Sequence, residues 1–203
     1  MIELHNIDCM EYMKGLDDNA FELAIVDPPY GIDRFEKQCK SNNRVEKFFN
    51  AGKWNSNKPD LDYFSELFRV SQNQIIWGYN HLSNLLPSTK AFIFWYKHQN
   101  GNFSEGELAW CSSGVGRFFD RPYQKDIGGK IHPTQKPVKL YEWLLANYAK
   151  EGDKILDTHL GSGSSAIAAH YGGFDFVGCE LDEDYFKAAS ERIDRETAQI
   201  DMF

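Results

Sequence analysis

Residues 155–164 have the sequence ILDTHLGSGS, and more than any other segment they predict the architecture of the chain. A short apolar run ends at Asp157, Gly161 and Gly163 follow, and a helical pattern begins at Ser164. Glycines at such a turn let the backbone approach a ligand closely, and the start of the helix offers free N–H groups. The segment therefore predicts a strand, a ligand-binding turn and a helix, which is the repeating unit of a parallel α/β sheet.

A carboxylate, Glu180, follows the next predicted strand, 174–179. It stands about twenty residues after the turn, where a carboxylate can accept hydrogen bonds from both hydroxyl groups of a ribose. The third glycine of a dinucleotide-binding turn is missing, because residues 164–166 are SSA. The pattern therefore favours an adenosine without a pyrophosphate, as in S-adenosylmethionine. A tight structural turn with a solvated Glu180 is the alternative.

A second motif, Asp27-Pro28-Pro29-Tyr30, directly follows the apolar run 23–26. In open α/β sheets, ligand sites lie where such strands end. Two successive prolines fix the backbone and remove two N–H donors, which leaves the Pro28 carbonyl as an acceptor. That carbonyl and the Asp27 carboxylate can each accept one N–H of a base amine, so that the nitrogen lone pair turns toward a methyl donor. Tyr30 offers a ring on which an extruded base can stack. The alternative is a strand that ends in a proline turn.

The rest of the chain alternates predicted strands with predicted helices. Further strands are predicted at 74–77, 91–95, 107–112 and 154–157, and helices at 60–70 behind a cap at Asp60, at 137–148, at 164–171 and after a cap at Asp182. This alternation predicts a mostly parallel sheet with helices on both faces, in one domain over residues 1–203. The polar stretches 31–58 and 114–136 are predicted loops.

The net charge of −8 argues against a nucleic-acid partner, but the distribution of charge does not. Basic residues concentrate in the two predicted loops, and acidic residues concentrate near the C-terminus. We predict DNA contacts from residues 31–58 and 114–130, through Arg34, Lys37, Lys40, Arg44, Lys47, Arg117, Arg121 and Lys125. Solvated loops without a ligand are the alternative.

In their order along the chain, these motifs resemble the DNA amino-methyltransferases of the beta arrangement, in which the catalytic motif precedes the cofactor motif. The matching segments are Asn6-Ile7-Asp8-Cys9, Asp27–Tyr30, His132–Pro137, Asp157–Ser164 and Glu180. The resemblance implies the class I S-adenosylmethionine methyltransferase fold, a Rossmann-like, circularly permuted α/β fold with a seven-stranded sheet.

The resemblance also implies a site for S-adenosylmethionine to which all of these segments contribute. The predicted cofactor residues are Asp8 and Cys9 at the adenine, Glu180 at the ribose, Thr134 and Lys136 at the cofactor's carboxylate, Asp157, Gly161 and Gly163 at the methionine end, and Asp27, His159 and Ser164 beside them. His159 stands where the family usually has another aromatic residue, commonly Phe. His132 is predicted to pin its turn.

The resemblance implies that the chain methylates the N6 amino group of adenine in double-stranded DNA, with base flipping. Asp27 favours adenine, because family members that act on cytosine N4 more often carry Ser at this position. Methylation of cytosine N4, of RNA or of a protein glutamine amide, and a catalytically silent cofactor-binding module, stay open as alternatives. A nicotinamide oxidoreductase would leave Asp27–Tyr30 unexplained.

Several classes of protein are disfavoured by the sequence. No apolar run approaches the roughly 20 residues of a membrane span, and the N-terminus lacks the pattern of a signal peptide. The four cysteines, Cys9, Cys39, Cys111 and Cys179, are scattered, so that neither a metal site nor a disulfide framework is predicted. We therefore expect a cytoplasmic protein with no metal and no membrane partner. A homodimer and a restriction endonuclease partner are left open.

Overall fold

The structure is a computed structural model that describes residues 1–31, 58–99, 104–123, 130–132 and 134–198. Its strands are β1 (Ile2–Asn6), β2 (Phe21–Val26), β3 (Ser71–Trp77), β4 (Phe92–Tyr96), β5 (Gly106–Cys111), β6 (Arg117–Asp120), β7 (Lys154–Asp157) and β8 (Asp175–Glu180). Its helices are α1 (Cys9–Lys14), α2 (Leu61–Val70), α3 (Tyr79–Leu82), α4 (Val138–Tyr148), α5 (Ser164–Gly172) and α6 (Glu183–Thr197).

Within the described residues, the strands form one eight-stranded sheet in the order β1-β8-β7-β2-β3-β5-β4-β6. Neighbouring strands pair in parallel except at β5, which runs antiparallel to both β3 and β4. The predicted α/β fold with a mostly parallel sheet is therefore confirmed. The permuted order is also visible, because the strand before the glycine-containing turn, β7, lies in the middle of the sheet although it comes late in the chain.

The predicted number of seven strands is wrong, because β6 adds an edge strand inside the stretch 114–130 that was predicted to be a loop. It pairs with β4 in parallel, from Ile93 opposite Arg117 to Tyr96 opposite Asp120. The strand is mostly exposed and lacks the buried apolar run that identifies β7, which also has four residues. The strand forms because the edge of β4 supplies backbone partners and because Phe119 packs against the core.

Apolar side chains fill both faces of the sheet. On one face, Leu144 of α4, Ile167 of α5 and Ile193 of α6 belong to a continuous buried cluster. On the other face, Phe64 and Leu67 of α2 are the centre of a second cluster. Each buried side chain of this size contributes roughly 1.5–3 kcal/mol relative to exposure. Helices thus cover both faces, as predicted.

Both predicted helix caps are confirmed. The Asp60 carboxylate accepts a hydrogen bond from the Tyr63 N–H at 3.0 Å, at the start of α2. The Asp182 carboxylate accepts hydrogen bonds from the N–H groups of Asp184 and Tyr185 at 3.0 and 3.1 Å, at the start of α6. Such caps satisfy N–H groups that have no partner within the helix.

The carboxyl ends of the parallel strands meet at one edge of the sheet. Asp27 directly follows β2, Thr158 follows β7, Glu180 ends β8, and Asp8 comes two residues after β1. Because these four strands are neighbours, the topology brings together residues that are far apart in the chain. None of the helices in the described parts of the chain is long and apolar enough to cross a bilayer.

Candidate active site

A cavity of about 640 Å³ opens at this carboxyl edge, within the range of small-molecule sites in proteins. Of the predicted site residues, those that line it are Asp8, Cys9, Asp27, Pro29, Thr134, Lys136, His159, Gly161 and Glu180. The predicted catalytic and cofactor residues that do not line it are Pro28, Tyr30, Asp157, Gly163 and Ser164, and the predicted DNA-contacting residues Arg117 and Arg121 do not line it either. Nor does the described part of the chain hold a group of three His, Cys, Asp or Glu residues able to bind a metal ion.

The Asp8–Cys9 segment joins β1 to α1 at one end of the cavity. The Asp8 carboxylate caps α1 by accepting hydrogen bonds from the N–H groups of Met10 and Glu11, at 2.7 and 3.4 Å. Burial raises the pKa of the Cys9 thiol to about 12, so this side chain is a neutral wall of the cavity. The segment therefore presents one fixed carboxylate beside one apolar group.

Glu180 is held by backbone groups at the end of β8. Its Oε2 accepts a hydrogen bond from the Gly161 N–H at 2.9 Å, and its Oε1 accepts one from the Asp182 N–H at 3.0 Å. Burial raises the pKa of this carboxyl. The two bonds orient the carboxylate and leave part of its acceptor capacity, since the oxygens of a carboxylate offer about four lone-pair sites.

The two glycines of the turn differ in their surroundings. Gly161 has φ +53, lines the cavity, and has only the His159 carbonyl oxygen, at 3.8 Å, within 4 Å of the place where a Cβ would lie. Gly163 has φ +75, and a Cβ there would lie 2.8 Å from Cδ1 of Ile193 in α6. Gly161 therefore leaves space beside the cavity, whereas Gly163 lets α6 pack closely on the turn.

Asp157 and Ser164 hold the turn in place on the side away from the cavity. The Asp157 carboxylate is 2 % exposed and accepts hydrogen bonds from the His159 N–H at 3.0 Å and from Ser165 Oγ at 2.6 Å. Burial raises the pKa of Asp157 to about 7. Ser164 Oγ donates to the Lys136 carbonyl at 2.8 Å. These residues shape the turn without facing the cavity.

His159 lines the cavity as a neutral ring. Burial lowers its pKa to about 4. Its Nδ1 lies 2.9 Å from Thr158 Oγ1, and its ring packs edge-on against Tyr63 with the ring centres 5.5 Å apart. A flat, uncharged side chain is thus presented where the resemblance leads one to expect an aromatic residue.

His132 and residues 134–136 line the cavity beside Tyr185 of α6. His132 packs edge-on against Tyr185 with 4.6 Å between ring centres, and its Nδ1 lies 3.2 Å from Thr134 Oγ1. Burial, and then the charge of Lys136, lower the pKa of His132 to about 3. A neutral His132 thus holds the turn, as predicted.

The Asp27 carboxylate is gripped from two sides. Its Oδ1 accepts a hydrogen bond from the Tyr30 hydroxyl, and its Oδ2 accepts one from the Lys136 ammonium. Burial, and next the Asp27 charge, raise the pKa of Tyr30 well above its usual value, so the hydroxyl keeps its proton and donates. Within the described residues, no donor hydrogen-bonds to the Pro28 carbonyl.

Tyr30 is packed more closely than a stacking platform needs to be. Its ring lies parallel to His81 of α3, with 5.3 Å between ring centres and 17° between planes. Partial burial, and then the Lys58 ammonium, lower the pKa of His81. The Tyr30 ring also lies directly against the backbone of Gly78. A Cβ at this glycine would come within 2.1 Å of Tyr30 Cε1.

Two charged residues that sequence reasoning missed, Lys97 and Glu107, lie behind Asp27. Glu107 Oε1 is 2.9 Å from Lys97 Nζ, and Glu107 Oε2 is 3.2 Å from Lys136 Nζ. Burial lowers the pKa of Lys136, but the carboxylates of Asp27 and Glu107 more than offset this and leave that pKa raised. Burial raises the pKa of Glu107, but the two ammonium groups outweigh it and leave that pKa lowered.

A signal for Glu107 is present in the sequence. In a strand, alternate residues share a face, so Glu107 lies on the same face as Ala109 and Cys111, both buried. A carboxylate on the buried face of a strand needs a cationic partner. The identity of that partner depends on how β4, β5 and the segment before α4 come together, which no local pattern reveals.

Most residues predicted to contact DNA lie outside the described residues: Arg34, Lys37, Lys40, Arg44, Lys47 and Lys125. Of the other two, Arg121 follows β6 at the carboxyl edge, on the side of Asp27. Its carbonyl accepts a hydrogen bond from Trp95 Nε1 at 2.9 Å, which anchors the backbone there.

Arg117 lies at the other end of β6, at the amino edge of the parallel strands. Its Nη1 donates a hydrogen bond to Asn147 Oδ1 at 3.1 Å, and its guanidinium lies 5.7 Å from the centre of the Tyr148 ring. Arg117 is therefore engaged with the end of α4, away from the edge that carries Asp27.

Comparison with known proteins gives one family match. The family model for N6/N4-type DNA methylases matches residues 69–191, which include β7, the glycine-containing turn and Glu180. A type II methyltransferase, M1.MboII of Moraxella bovis, is 21% identical over 248 residues and covers 93% of this chain and 95% of its own length.

Two solved structures share the fold. The M1.HpyAVI–SAM complex has a TM-score of 0.65 at 20% identity, over 95% of this chain and 100% of that chain. The cytosine-N4-specific PvuII DNA methyltransferase has a TM-score of 0.64 at 13% identity, over 98% of this chain and 92% of that chain.

Proposed function

We propose that this chain, which belongs to the N6/N4 family of DNA methylases, methylates the N6 amino group of adenine in double-stranded DNA with S-adenosylmethionine as the methyl donor. The observation that carries the proposal is the shared cavity. Asp27 and Pro29 of the amine-binding motif line the same space as Gly161 and Glu180 of the glycine-containing turn.

The residues around the cavity suit S-adenosylmethionine. The Glu180 carboxylate keeps acceptor capacity for two ribose hydroxyls, and the Asp8 carboxylate and neutral Cys9 lie beside it for an adenine. Gly161 leaves space that a side chain would fill. When bound, the cofactor supplies a methyl group on a positively charged sulfur.

Asp27 and Pro28 prepare the amine for attack. An exocyclic amine is a poor nucleophile, because its lone pair is delocalised into the ring of the base. The Asp27 carboxylate and the Pro28 carbonyl would each accept one N–H, and the lone pair would then point into the cavity. Such alignment of the reacting atoms supplies a large part of the rate. The target base must leave the duplex to reach Asp27, which is the base flipping that we propose.

Adenine is the base that we favour, because Asp stands at the first position of the motif. The fold does not distinguish adenine from cytosine, since a cytosine-N4-specific enzyme shares it. The position of Arg121 at the carboxyl edge, beside β6, supports DNA approaching from that side.

The test is methyl transfer to DNA from a methylation-free host, followed by mass spectrometry of the nucleosides. We expect N6-methyladenine with the wild-type chain. Asp27→Ala should lower its formation at least about 100-fold, a loss of the size seen when a group that orients the reacting centre is removed. Asp17→Ala, which removes an exposed carboxylate, is the matched control.

Three results would count against the proposal. N4-methylcytosine without N6-methyladenine would replace adenine by cytosine as the substrate. Transfer to RNA and none to DNA would change the class of substrate. No transfer to any nucleic acid, with unchanged DNA binding in Asp27→Ala, would favour a silent cofactor-binding module.

A further inference from the structure

Four charged side chains behind the proposed reaction centre alternate in sign. The row runs Lys97, Glu107, Lys136, Asp27, and each member contacts the next. It begins just past the end of β4, crosses the start of β5 and ends at the residue that follows β2. We refer to it as the charge row. Its two cations and two anions make it neutral.

An aromatic ring flanks each ammonium group of the charge row. Lys97 is 8 % exposed and Lys136 is 4 % exposed. The Lys97 ammonium lies 5.9 Å from the centre of the Trp95 ring, and the Lys136 ammonium lies 5.4 Å from that of Trp77. Water therefore has little access to either ammonium, and the positions of both depend on the carboxylates between them.

Glu107 is the member that fixes the others. It is the only carboxylate of the row that contacts both ammonium groups, one through each oxygen. Without its charge, Lys136 would keep only one of its two carboxylate partners, Asp27, and Lys97 would in addition repel it. Lys136 would then shift relative to Asp27, and the oxygen that it holds would turn.

We propose that Glu107 is a positioning residue for Asp27, acting through Lys136, with Lys97 as the counter-ion that keeps Glu107 in place. The proposal rests on the proposed function, because it takes Asp27 to be the acceptor of a base N–H. Lys136 then serves the amine-binding end of the cavity, whereas the family resemblance places it at the cofactor's carboxylate.

Steady-state kinetics and cofactor binding separate these two roles of Lys136. If it holds Asp27, Lys136→Met and Glu107→Gln should both lower kcat, by roughly 10- to 100-fold for a misplaced reacting group. The dissociation constant for S-adenosylmethionine, measured by calorimetry, and the KM for DNA should change less than about 2-fold. Glu142→Gln is the matched control, because Glu142 pairs with Lys139 on the surface.

Either of two results would overturn the proposal. One is a weaker affinity for S-adenosylmethionine in Lys136→Met with kcat retained, which would place Lys136 at the cofactor. The other is a normal kcat in Glu107→Gln. If Glu107→Gln does not fold, the neutral pair Lys97→Met with Glu107→Gln replaces it. The double variant should keep the kcat defect, and a normal kcat would again overturn the proposal.

Unfolding measurements, which do not depend on catalysis, test the positioning role of Glu107 separately from the proposed function. The coupling between Asp27→Asn and Glu107→Gln is measured from urea unfolding, once with Lys136 present and once in Lys136→Met. We expect coupling in the first background and its loss in the second. Coupling that is absent, or that survives without Lys136, would overturn the inference even if the wild type methylates DNA. Loss of coupling as expected, in a chain that transfers no methyl group, would contradict the proposed function alone.

Discussion

The position of the Tyr30 ring is set by a residue that has no side chain. Gly78 has φ +78, and a Cβ there would lie 2.1 Å from a ring carbon of Tyr30. Because the Tyr30 hydroxyl donates to Asp27, any displacement of the ring is passed on to the carboxylate. A glycine at the start of α3 thereby controls the geometry of a motif almost fifty residues earlier in the chain.

We predict that Gly78→Ala lowers kcat and destabilises the fold, because the methyl group pushes the Tyr30 ring away from Asp27. Gly152→Ala is the matched control. Gly152 also has positive φ, at +89, but nothing lies within 4 Å of an added Cβ. Both variants incur a backbone cost of roughly 1 kcal/mol, so the extra loss in Gly78→Ala measures the clash. Equal effects in kinetics and urea unfolding would mean that the ring adapts freely.

The buried ring of His159 makes stability depend on pH. Its pKa is about 4 in the folded chain, against 6.5 when unperturbed. A lowered folded-state pKa gives stability that is present above pH 6.5 and is lost as the pH falls toward 4. The unfolded chain takes up the proton first, and acid therefore favours unfolding.

We predict that His159→Phe reduces the acid sensitivity of folding. Between pH 7.5 and pH 5 the wild type should lose about 2 kcal/mol of unfolding free energy that the variant does not lose. The variant also loses the contact with Thr158, so its stability at pH 7.5 is lower by a constant amount. Urea titrations at both pH values separate the pH-dependent loss of unfolding free energy from the constant loss. His170→Gln, at an exposed position, should follow the wild type, and a parallel pH response in His159→Phe would disprove the assignment.

In the turn between β7 and α5, the two glycines have different roles: Gly161 leaves space at the cavity, and Gly163 allows α6 to pack closely. Gly163→Ala should destabilise the chain by roughly 1–3 kcal/mol beyond the backbone cost, because the methyl group meets Ile193 of α6. Gly161→Ala should weaken binding of S-adenosylmethionine instead, because its methyl group lies beside the cavity. Calorimetric affinities and unfolding curves check both, and each variant is the control for the other. A larger loss of affinity in Gly163→Ala than in Gly161→Ala would reverse the two roles.

The elements that could be predicted from the sequence are those with a buried apolar run, a helical pattern or a recognisable flanking motif. The strand 154–157 is predicted to the residue, and α2 and α6 have their predicted caps. Four short elements, β1, α1, α3 and β6, were missed. Short elements show no clear periodicity of their own, and none of these four has the buried apolar run and glycine-containing turn that identify β7. Their formation depends on neighbours supplied by the fold.

At the scale of the whole molecule, the proposed cofactor site joins β1, β7 and β8 with the segment before α4. We predict that S-adenosylmethionine at 100 times its dissociation constant stabilises the chain by about 2.7 kcal/mol. For a chain of 203 residues this raises Tm by roughly 5–10 °C in a thermal-shift assay. Glu180→Gln should reduce the shift, and Glu183→Gln, an exposed neighbour, should keep it. An unchanged Tm in the wild type would contradict the proposed cofactor.

The topology of the sheet explains which parts of the candidate site were predictable. Asp27, Gly161 and Glu180 each follow or end a strand, and parallel topology brings such ends together without any further information. Lys97 and Glu107 are different, because β5 must run back between β3 and β4 to place Glu107 opposite Trp95. That antiparallel insertion is a property of the assembled sheet. The strand face of Glu107 can be read from the sequence, but its cationic partners are found only once the order of strands is known.

Because β1 pairs with β8, synthesis of the chain separates the two strands in time. Among the described strands β1 pairs with β8 alone, and their register places Ile2 opposite Phe176, 174 residues later. At roughly 5–20 residues per second, a ribosome needs about 9 to 35 s to deliver that partner. During this interval β1 has no partner strand, and the cavity lacks the residues that β8 supplies. A translation product that stops short of β8 would thus lack Glu180, the proposed ribose ligand, as well as a complete sheet, and would expose unpaired strand edges that promote aggregation.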